Sequence, residues 1–420
     1  MISFGSFLPK LEAACVALAG VLATLTPATG VGQEHCVYIA NSESGSVSVV
    51  SSRSSLVTCT IPVGTNPTEI AIARRRGLLF VSNRGSGTIS AIEMATSRVS
   101  STLSAGPLPT HLAVDDAEES LFATNQFLEG VGGSSLDRFH LDSGVRTSLV
   151  FFATEPTGLA IDSEGESLYV TEANRGMIQV VDTTTGAIAD TISVGRGPFD
   201  IAISPGGRLA YVTDVLGDAV VTLDLATKKV ESILSSILPF NLTVENDTLY
   251  VTAPAQGRLY IVGAKGEADV VQLGGAPWDV AAAPGGNVWV TDRQTDTVYM
   301  VDPRVGVVQN AVVVGRSPRG LIVSSECGAC RACVGDCDQS DSVSVDELLV
   351  AIQIVLGTAD VDSCLSIDVD RNEIVTIDEL ILGVQSVLNG CNRPDGASVG
   401  SHFPGSPDGL FAGPKIERRF

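Results

Sequence analysis

Two acidic stretches of twelve residues near the C-terminus carry side-chain oxygens at matching positions. They read DCDQSDSVSVDE over 336–347 and DVDRNEIVTIDE over 368–379. Calcium takes six to eight oxygen ligands, and a twelve-residue loop supplies them from positions 1, 3, 5, 7, 9 and 12. An apolar pattern with helical spacing follows each stretch, first LLVAIQIVLG and then LILGVQSVLNG. The sequence therefore predicts a duplicated loop-and-helix module that binds two calcium ions.

The predicted calcium ligands are side-chain oxygens, except at position 7, where a backbone carbonyl is expected. They are Asp336, Asp338, Ser340, Ser342, Ser344 and Glu347 in the first loop, and Asp368, Asp370, Asn372, Ile374, Thr376 and Glu379 in the second. Position 6 usually holds Gly, for a sharp turn, but here it holds Asp341 and Glu373. Because Glu adopts left-handed backbone less readily than Asp, we expect strain in the second loop.

A cluster of four cysteines leads into the first acidic loop, in CGACRACVGDC over 327–337. Its C-x2-C-x2-C-x3-C spacing is that of a bacterial ferredoxin site, but the Pro that follows such a motif and a second copy are absent. The N-terminal residues 1–30 contain an apolar run at 13–25 with small residues beyond it, which is typical of a secretory signal peptide. Since cysteines of exported chains generally form disulfides, this context favours disulfides over an iron–sulfur cluster.

The composition disfavours several classes of function. The net charge of −22 argues against nucleic acid, whose phosphates attract basic proteins. The four histidines are scattered over different segments, which argues against a copper or haem enzyme. No motif for a serine or cysteine nucleophile is apparent, so catalysis by such a group has no support in the sequence.

The first three quarters of the chain consist of a repeat of about forty residues. Each copy is a strand of five residues. An aliphatic or Ala residue comes first and an aromatic residue second, and then come Val-Thr or a close variant and usually one polar residue. Seven copies occur: VYIAN (37–41), LFVSN (79–83), LFATN (121–125), LYVTE (168–172), AYVTD (210–214), LYVTA (249–253) and VWVTD (288–292). A proline and a short alternating strand precede most copies, and two further strand-like runs follow each. Each unit predicts a four-stranded sheet, and radial stacking of such sheets gives a β-propeller.

The phase of the repeat predicts how the ring closes. The first copy, at 37–41, has no proline strand before it, and the last proline strand, SPRGLIV at 317–323, has no partner after it. We therefore expect a mainly β fold with seven four-stranded blades, in which the C-terminal strand completes the first blade. Cys36 and Cys327 would then lie in the same blade and form a disulfide, with Cys36–Cys59 as the alternative.

The repeat closely resembles the YVTN family of β-propeller repeat proteins over about residues 36–324. The acidic module resembles the dockerin type of tandem EF-hand over about 334–391, and four disulfide candidates bracket its two halves: Cys333, Cys337, Cys364 and Cys391. This second resemblance implies a cohesin-type partner, which dockerins bind through loop positions 10 and 11. Here those positions lack the hydroxyl and basic pattern of cellulosomal dockerins; they hold Val345, Asp346, Ile377 and Asp378.

Mostly polar residues recur at the second position after the repeat prolines, where the innermost strands of a propeller surround its channel. They are Glu69, His111, Gly158, Asp200, Asn241, Asp279 and Gly320. One interpretation is a ligand site at the channel mouth, with a metal or a sugar bound as in calcium-dependent lactonase-type propellers. The other is that these side chains satisfy backbone groups of turns, as Asp and Asn commonly do.

These observations predict five segments: a signal peptide at 1–30, a propeller at 31–325, a Cys-rich linker at 326–335, the helical calcium-binding module at 336–391 and a disordered tail at 392–420. The leading hypothesis is an exported scaffold or binding protein, located in the periplasm, outside the cell or at its surface. Its propeller would recognise a protein, a glycan or a small ligand, with no transmembrane anchor once the signal peptide is removed. The alternative is an enzyme of the lactonase or lyase type with a metal at the channel mouth.

Overall fold

The computed structural model describes the chain between residues 34 and 384, with gaps. The described ranges are 34–115, 117–126, 133–263, 266–283, 286–328, 337, 343–359, 363–364, 366–367, 375, 380–381 and 383–384. The predicted signal peptide, the predicted tail, most of the Cys-rich linker and most of the two acidic loops therefore lie outside the described residues. The chain divides into two compact units, Met1–Cys330 and Arg331–Phe420.

The first unit contains seven four-stranded antiparallel sheets, so the predicted seven-bladed β-propeller is confirmed. Blade 1 consists of β1 (Cys36–Asn41), β2 (Ser46–Ser51), β3 (Leu56–Pro62) and β28 (Pro318–Ser324). Blade 2 consists of β4 (Pro67–Ala73), β5 (Leu78–Asn83), β6 (Thr88–Glu93) and β7 (Arg98–Ser104). Blade 3 consists of β8 (Pro109–Val114), β9 (Ser120–Asn125), β10 (Ser134–His140) and β11 (Arg146–Phe152).

The remaining four blades are built in the same way, from strands that are consecutive in the chain. Blade 4 consists of β12 (Pro156–Ile161), β13 (Ser167–Glu172), β14 (Met177–Asp182) and β15 (Ile188–Ser193). Blade 5 consists of β16 (Pro198–Ile203), β17 (Leu209–Asp214), β18 (Ala219–Asp224) and β19 (Val230–Ser235). Blade 6 consists of β20 (Leu242–Glu245), β21 (Thr248–Ala253), β22 (Arg258–Val262) and β23 (Ala268–Gln272). Blade 7 consists of β24 (Pro277–Ala282), β25 (Val288–Asp292), β26 (Thr297–Asp302) and β27 (Val307–Val313).

Blade 1 joins the two ends of the propeller, as the phase of the repeat predicts. Strand β28 pairs antiparallel with β1, and Cys36 lies opposite Ser324. The predicted disulfide Cys36–Cys327 is confirmed, with Cα atoms 5.3 Å apart, within the range that a disulfide bridges. The alternative pairing of Cys36 with Cys59 is therefore wrong, and Cys59 is itself disulfide-bonded.

The hydrophobic core lies between the blades. Strands β1 and β2 are buried along their whole length, because neighbouring blades cover both faces of the sheet. Among the described residues, one cluster of buried apolar side chains fills the gap between each pair of successive blades. Trp289, Tyr38 and Phe80 are the largest of the fully buried side chains. A single four-stranded sheet leaves both of its apolar faces uncovered, so closure of the ring is what completes the core.

The described part of the second unit contains helix α1, Val345–Val355, which begins three residues before the start that the apolar pattern predicts. Residues 380–381 and 383–384 are helical as well, where the second helix is predicted. The disulfide Cys337–Cys364 joins two of the predicted disulfide candidates, with Cα atoms 4.7 Å apart. It packs beside a small buried cluster that includes Ala351 and Val375. Within the described ranges, no helix is both long enough and apolar enough to cross a membrane.

Candidate ligand-binding site at the channel mouth

The inner strand of most blades begins at a repeat proline, and the strand pairing shifts register close after it. In β4 the shift falls between Pro67 and Glu69, and in β16 it falls between Pro198 and Ile201. Proline has no N–H to continue the ladder, and a bulge adds an extra residue to one strand. As a result, residues from both the first and the second position after the proline line the mouth of the central channel.

A buried hydroxyl near the end of the second strand of several blades fixes these two positions. The Thr291 hydroxyl accepts a hydrogen bond from the Asp279 N–H at 3.0 Å and donates one to the Arg319 carbonyl of the next blade at 2.7 Å. Thr213 makes the equivalent pair of bonds at 3.0 and 2.7 Å. Five hydroxyls donate to the following blade in this way: Ser82, Thr171, Thr213, Thr252 and Thr291. These inter-blade hydroxyl bonds hold the channel-lining residues of neighbouring blades in register.

The residue that ends the same strand is usually polar and buried, and its side chain stabilises the loops. Asn83 accepts a hydrogen bond from the Gly64 N–H at 3.1 Å. Asp214 accepts bonds from the N–H groups of Gly197 and Gly217 at 2.7 and 3.0 Å. Because backbone N–H groups already occupy these oxygens, the side chains contribute to the fold rather than to a ligand site.

Three of the predicted channel residues are acids that lie near one another, namely Glu69, Asp200 and Asp279. Asp200 accepts hydrogen bonds from the Ile201 N–H of its own strand and from the Leu242 N–H of the next blade, at 2.8 and 2.9 Å. Asp279 makes the equivalent two bonds at 2.8 and 3.0 Å. Both aspartates therefore connect successive inner strands.

Burial raises the pKa of all three carboxyls. It raises the pKa of Asp200 to about 6, although two backbone hydrogen bonds oppose the rise. It also raises the pKa of Asp279, and the nearby charge of Asp200 raises it further. The pKa of Glu69 lies well above its ordinary value because of burial and then because of the charges of Asp279 and Asp200. Near neutral pH the channel therefore carries less negative charge than three ionised acids would give.

We expect the Asp200→Asn variant to be less stable than the wild-type protein at about pH 5, and to recover relative to it as the pH rises. The pKa of Asp200 is about 6 in the folded state and about 3.9 in the unfolded state. The contribution of this carboxyl to stability is therefore complete below about pH 3.9, and it is lost as the pH rises through about 6. At low pH the variant mainly lacks one hydrogen-bond acceptor, which costs about 1 kcal/mol. Urea denaturation of both proteins from about pH 5 to about pH 7.5 measures the difference. A difference that stays constant over this range would contradict the raised pKa.

His111 and Asn241 place unpartnered polar atoms at the same mouth. The Nδ1 atom of His111 and the Oδ1 atom of Asn241 are buried and have no hydrogen-bond partner among the described residues. Burial lowers the pKa of His111 to about 4, so its imidazole is neutral at physiological pH. Asn241 is only 8% exposed, and its amide nitrogen donates to Asp279 at 3.5 Å. An unmet polar atom of this kind costs about 1–3 kcal/mol unless water or a ligand satisfies it.

The two glycines of the predicted set are present for a steric reason. A Cβ atom on Gly158 would lie 2.5 Å from the Phe199 carbonyl oxygen, and one on Gly320 would lie 2.6 Å from the Thr68 carbonyl oxygen. The inner strands approach each other too closely at these two points for any other residue type. Gly158 and Gly320 therefore shape the channel and contribute no ligand group.

The first residues after the prolines form much of the mouth, and the sequence interpretation missed them. In three successive blades they are Phe199, Phe240 and Trp278, which we call the aromatic arc. The ring centroids of Phe199 and Phe240 lie 4.4 Å apart, and those of Phe240 and Trp278 lie 4.1 Å apart. The guanidinium groups of Arg293 and Arg319 lie 4.1 and 5.4 Å from the Trp278 ring centroid. The ring planes are inclined by 35° and 50° to one another, so the mouth combines a row of tilted aromatic rings with cations.

A cavity of about 280 Å³ opens at this mouth, close to the lower end of the size range of small-molecule sites. It is lined by Thr68, Glu69, Arg84, Thr110, His111, Gln126, Thr157, Phe199, Phe240, Asn241, Trp278, Arg319 and Gly320. Of the predicted ligand-site residues, the lining includes Glu69, His111 and Asn241. Asp200 and Asp279 lie outside it. In the part of the chain that the structure describes, no three His, Cys, Asp or Glu side chains are placed to hold a metal ion.

Comparison with known proteins shows the fold of this chain and leaves its activity open. No protein-family model matches the chain. The PE-PGRS family protein PE_PGRS18 of Mycobacterium tuberculosis is 38% identical over 52 residues, which are 12% of this chain and 11% of that protein. This chain therefore spans about a tenth of the length of that curated relative.

Among solved structures, the periplasmic gluconolactonase of Pseudomonas aeruginosa is similar to this chain with a TM-score of 0.59 and 18% identity, over 70% of this chain and 99% of that one. Virginiamycin B lyase of Staphylococcus aureus is similar with a TM-score of 0.52 and 14% identity, over 62% and 92% of the two chains. At such identities the likeness extends to the fold alone. The chain is thus a seven-bladed β-propeller protein.

The described part of the C-terminal module contains two of the predicted calcium ligands, Ser344 and Glu347. The Ser344 hydroxyl caps α1 by accepting from the Glu347 N–H at 3.2 Å, and the Glu347 carboxylate accepts from the N–H groups of Ser344 and Cys337, both at 2.7 Å. The bond from Cys337 turns this carboxylate back towards the start of the loop, where the last ligand of a calcium loop belongs. Carboxylate oxygens have further lone pairs, so these bonds are compatible with coordination. The other ten predicted ligands lie outside the described residues.

Proposed function

We propose that the protein is an exported binding protein whose propeller takes up a small ligand at its channel mouth and whose C-terminal module binds calcium. The observation that carries the propeller's role is one cavity whose lining includes three residues that each carry a buried polar atom without a partner among the described residues: His111 Nδ1, Asn241 Oδ1 and Arg319 Nε. Polar atoms inside folded proteins are normally hydrogen-bonded, so their shared location favours a ligand that satisfies them together. The two disulfides favour an oxidising compartment.

Trp278 gives a direct test of binding at the mouth. The chain contains two tryptophans, and the other one, Trp289, is fully buried in the core. We expect a ligand found by screening metabolites and oligosaccharides to change the fluorescence of Trp278. In the Trp278→Phe variant the remaining emission comes from Trp289 and should not respond to the ligand. A signal that persists in this variant would place the ligand elsewhere.

The Asn241→Leu variant tests whether the unpartnered amide oxygen takes part in binding. We expect binding of any ligand found in the screen to weaken by about tenfold, because the apolar side chain removes the hydrogen-bond acceptor and leaves the ligand's donor unmet. Asn310→Leu, on the exposed face of β27, is the matched control and should bind normally. Equal affinities for the wild type and Asn241→Leu would contradict this role.

For the C-terminal module, we expect calcium to neutralise the repulsion among the loop acids and so to fold the loops. Chelation with EDTA should then lower the melting temperature of this module and leave the transition of the propeller unchanged. Differential scanning calorimetry with and without calcium measures both transitions. A thermogram that EDTA does not change would defeat the calcium proposal.

A second candidate is an enzyme of the lactonase or lyase type that acts at the same mouth. The raised pKa of Glu69 favours it, since Glu69 lines the cavity and a carboxyl with a raised pKa can act as a general acid. Two of the similar structures are a gluconolactonase and a virginiamycin B lyase. Ring opening of gluconolactone and of virginiamycin B, assayed with and without divalent cations, tests this candidate. Turnover that Glu69→Gln abolishes would support it, and the absence of turnover of both compounds would count against it.

A further inference from the structure

Three arginines meet at the channel mouth although the chain as a whole is strongly acidic. Arg84 follows β5, Arg293 follows β25, and Arg319 lies within β28, so three adjacent blades contribute one arginine each. The chain carries a net charge of −22, and its surface therefore repels anions in general. This local group of cations is an exception to that charge. Arg84 and Arg319 line the cavity, and Arg293 lies beside it, over the Trp278 ring.

The positive charges of these three arginines repel one another. The pKa of Arg319 falls to about 10, first because of burial and then because of the positive charges of Arg293 and Arg84. Glu43 opposes this fall without cancelling it. Among the described residues, none of the three arginines forms an ion pair with a carboxylate. Cations that are partly buried and lack a paired carboxylate favour the binding of an anion.

The side-chain partners of these arginines are neutral, and they leave several guanidinium N–H donors without a partner among the described residues. Arg84 donates to the Gln126 side-chain oxygen at 3.2 Å, and Arg293 donates to the Ser317 hydroxyl at 3.4 Å. The Nε atom of Arg319 is buried and has no partner among the described residues. Each guanidinium carries five N–H donors, so most donors remain for a ligand with several acceptor oxygens.

The aromatic arc occupies one side of the mouth and defines the rest of the ligand. At the first position after the proline, blades 2, 3 and 4 carry hydroxyls, whereas blades 5, 6 and 7 carry aromatic rings. The hydroxyl residues are Thr68, Thr110 and Thr157, and the aromatic residues are Phe199, Phe240 and Trp278. Blade 1 carries Arg319 at this position, beside the Trp278 end of the arc. The cations thus adjoin a row of aromatic rings, and a flat conjugated group packs well against the face or edge of such a ring.

We propose, on the basis of the ligand-binding role above, that the mouth selects a small planar organic anion. Its carboxylate or phosphate oxygens accept hydrogen bonds from Arg84, Arg293 and Arg319, and its conjugated ring packs against the aromatic arc. The neutral imidazole of His111 and the amide of Asn241 provide polar contacts at the ring edge.

The test uses the full-length protein and four probes that separate charge from planarity. They are benzene-1,3,5-tricarboxylate, its neutral tricarboxamide, the non-planar cyclohexane-1,3,5-tricarboxylate, and phenyl phosphate. Trp278 fluorescence and isothermal titration calorimetry measure each affinity. We expect the affinity of the planar tricarboxylate to be at least about tenfold higher than that of either the neutral or the non-planar analogue. We also expect its affinity to fall between about 50 and about 300 mM salt, because salt screens exposed charges. Tighter binding of phenyl phosphate would identify the anion as a phosphate and would support the proposal as well.

Arginine variants with matched controls locate the selection. Arg293→Gln and Arg84→Gln should each weaken the planar anion by about tenfold and leave the tricarboxamide unchanged. Arg53→Gln, at an exposed ion pair on blade 1, is the control and should bind as the wild type does. Circular dichroism establishes that each variant is folded. If Arg293→Gln does not fold, Arg84→Gln still tests the proposal.

Two results would overturn different claims. If the tricarboxamide binds as tightly as the tricarboxylate, and the arginine variants bind both normally, the selection of anions is wrong while the binding site at the mouth stands. If no probe, charged or neutral, perturbs Trp278 or gives a heat of binding, and the metabolite and oligosaccharide screen also gives no response from Trp278, the assignment of the mouth as a small-ligand site is overturned, and the anion proposal with it.

Discussion

Replacing both cysteines of the ring-closing disulfide, Cys36→Ala with Cys327→Ala, is expected to lower the free energy of unfolding of the propeller by about 3–5 kcal/mol. The two residues are 291 positions apart in the chain, so the disulfide restricts nearly the whole propeller in its unfolded state. In the chain-entropy account the stabilisation grows with the logarithm of the loop length, which puts this disulfide at the upper end of the usual range. Alanine is preferred to serine because Cys36 is buried and a hydroxyl there would need a partner.

Urea denaturation of the wild-type and variant propellers, followed by tryptophan fluorescence, measures this loss. The matched control removes the disulfide of the other unit, with Cys337→Ala and Cys364→Ala, and should leave the transition of the propeller unchanged. If the Cys36–Cys327 variant unfolds at the same urea concentration as the wild type, the hydrogen bonds between β28 and β1 alone close the ring. The disulfide would then contribute nothing to stability.

The Thr291→Val variant should lose about 2–4 kcal/mol of stability, a large effect for the removal of one oxygen atom. Valine has almost the shape of threonine, so packing is preserved while two hydrogen bonds are lost, one within blade 7 and one to blade 1. The Asp279 N–H and the Arg319 carbonyl then lose the Thr291 hydroxyl, which is itself fully buried. Each of these unmet groups costs about 1–3 kcal/mol. The same loss should weaken ligand binding, because the hydroxyl fixes the backbone of Arg319.

The control for this experiment is Thr291→Ser, which keeps the hydroxyl and removes only a methyl group. Blade 2 already carries Ser82 at the equivalent position, where the hydroxyl donates to the Thr110 carbonyl at 2.8 Å. We therefore expect Thr291→Ser to cost about 1 kcal/mol, the transfer free energy of the buried methyl. Equal destabilisation by Val and Ser would mean that packing of the methyl group, rather than hydrogen bonding, matters at this site.

Much of the fold could be predicted from the sequence because the information for it is repeated. Seven copies of one strand pattern determine the number of blades, and the missing proline strand before residue 37 determines how the ring closes. That phase favours the pairing of Cys36 with Cys327 but leaves Cys36–Cys59 open as the alternative, and the structure decides between them. By contrast, α1 begins at Val345, earlier than predicted, because Ser344 and Glu347 form a capping box. The apolar pattern alone does not reveal such a cap.

Only part of the candidate site could be predicted from the sequence, and the reason is the bulge beside most of the repeat prolines. In a regular strand successive side chains point to opposite faces, so choosing the second residue after the proline for the channel excludes the first. The bulge turns both towards the axis, and the aromatic arc was missed for this reason. Arg84 and Arg293 were missed because they follow a different strand of each blade and reach the mouth only in the closed ring. A signal for the inter-blade hydroxyls did exist, as Thr or Ser recurs in the strand pattern where only packing was considered.

Blade 1 also determines the order in which the propeller can form. The other six blades consist of strands that are neighbours in the chain, so each can form from local contacts soon after it is synthesised. Blade 1 must wait for β28, and joining β28 to β1 closes a chain loop that contains every other blade. We therefore expect ring closure to be the last and slowest step of folding. In a chain that crosses a membrane unfolded, β1 would remain an uncovered sheet edge until Pro318–Ser324 had followed it across, and this period is when the protein is most prone to aggregate.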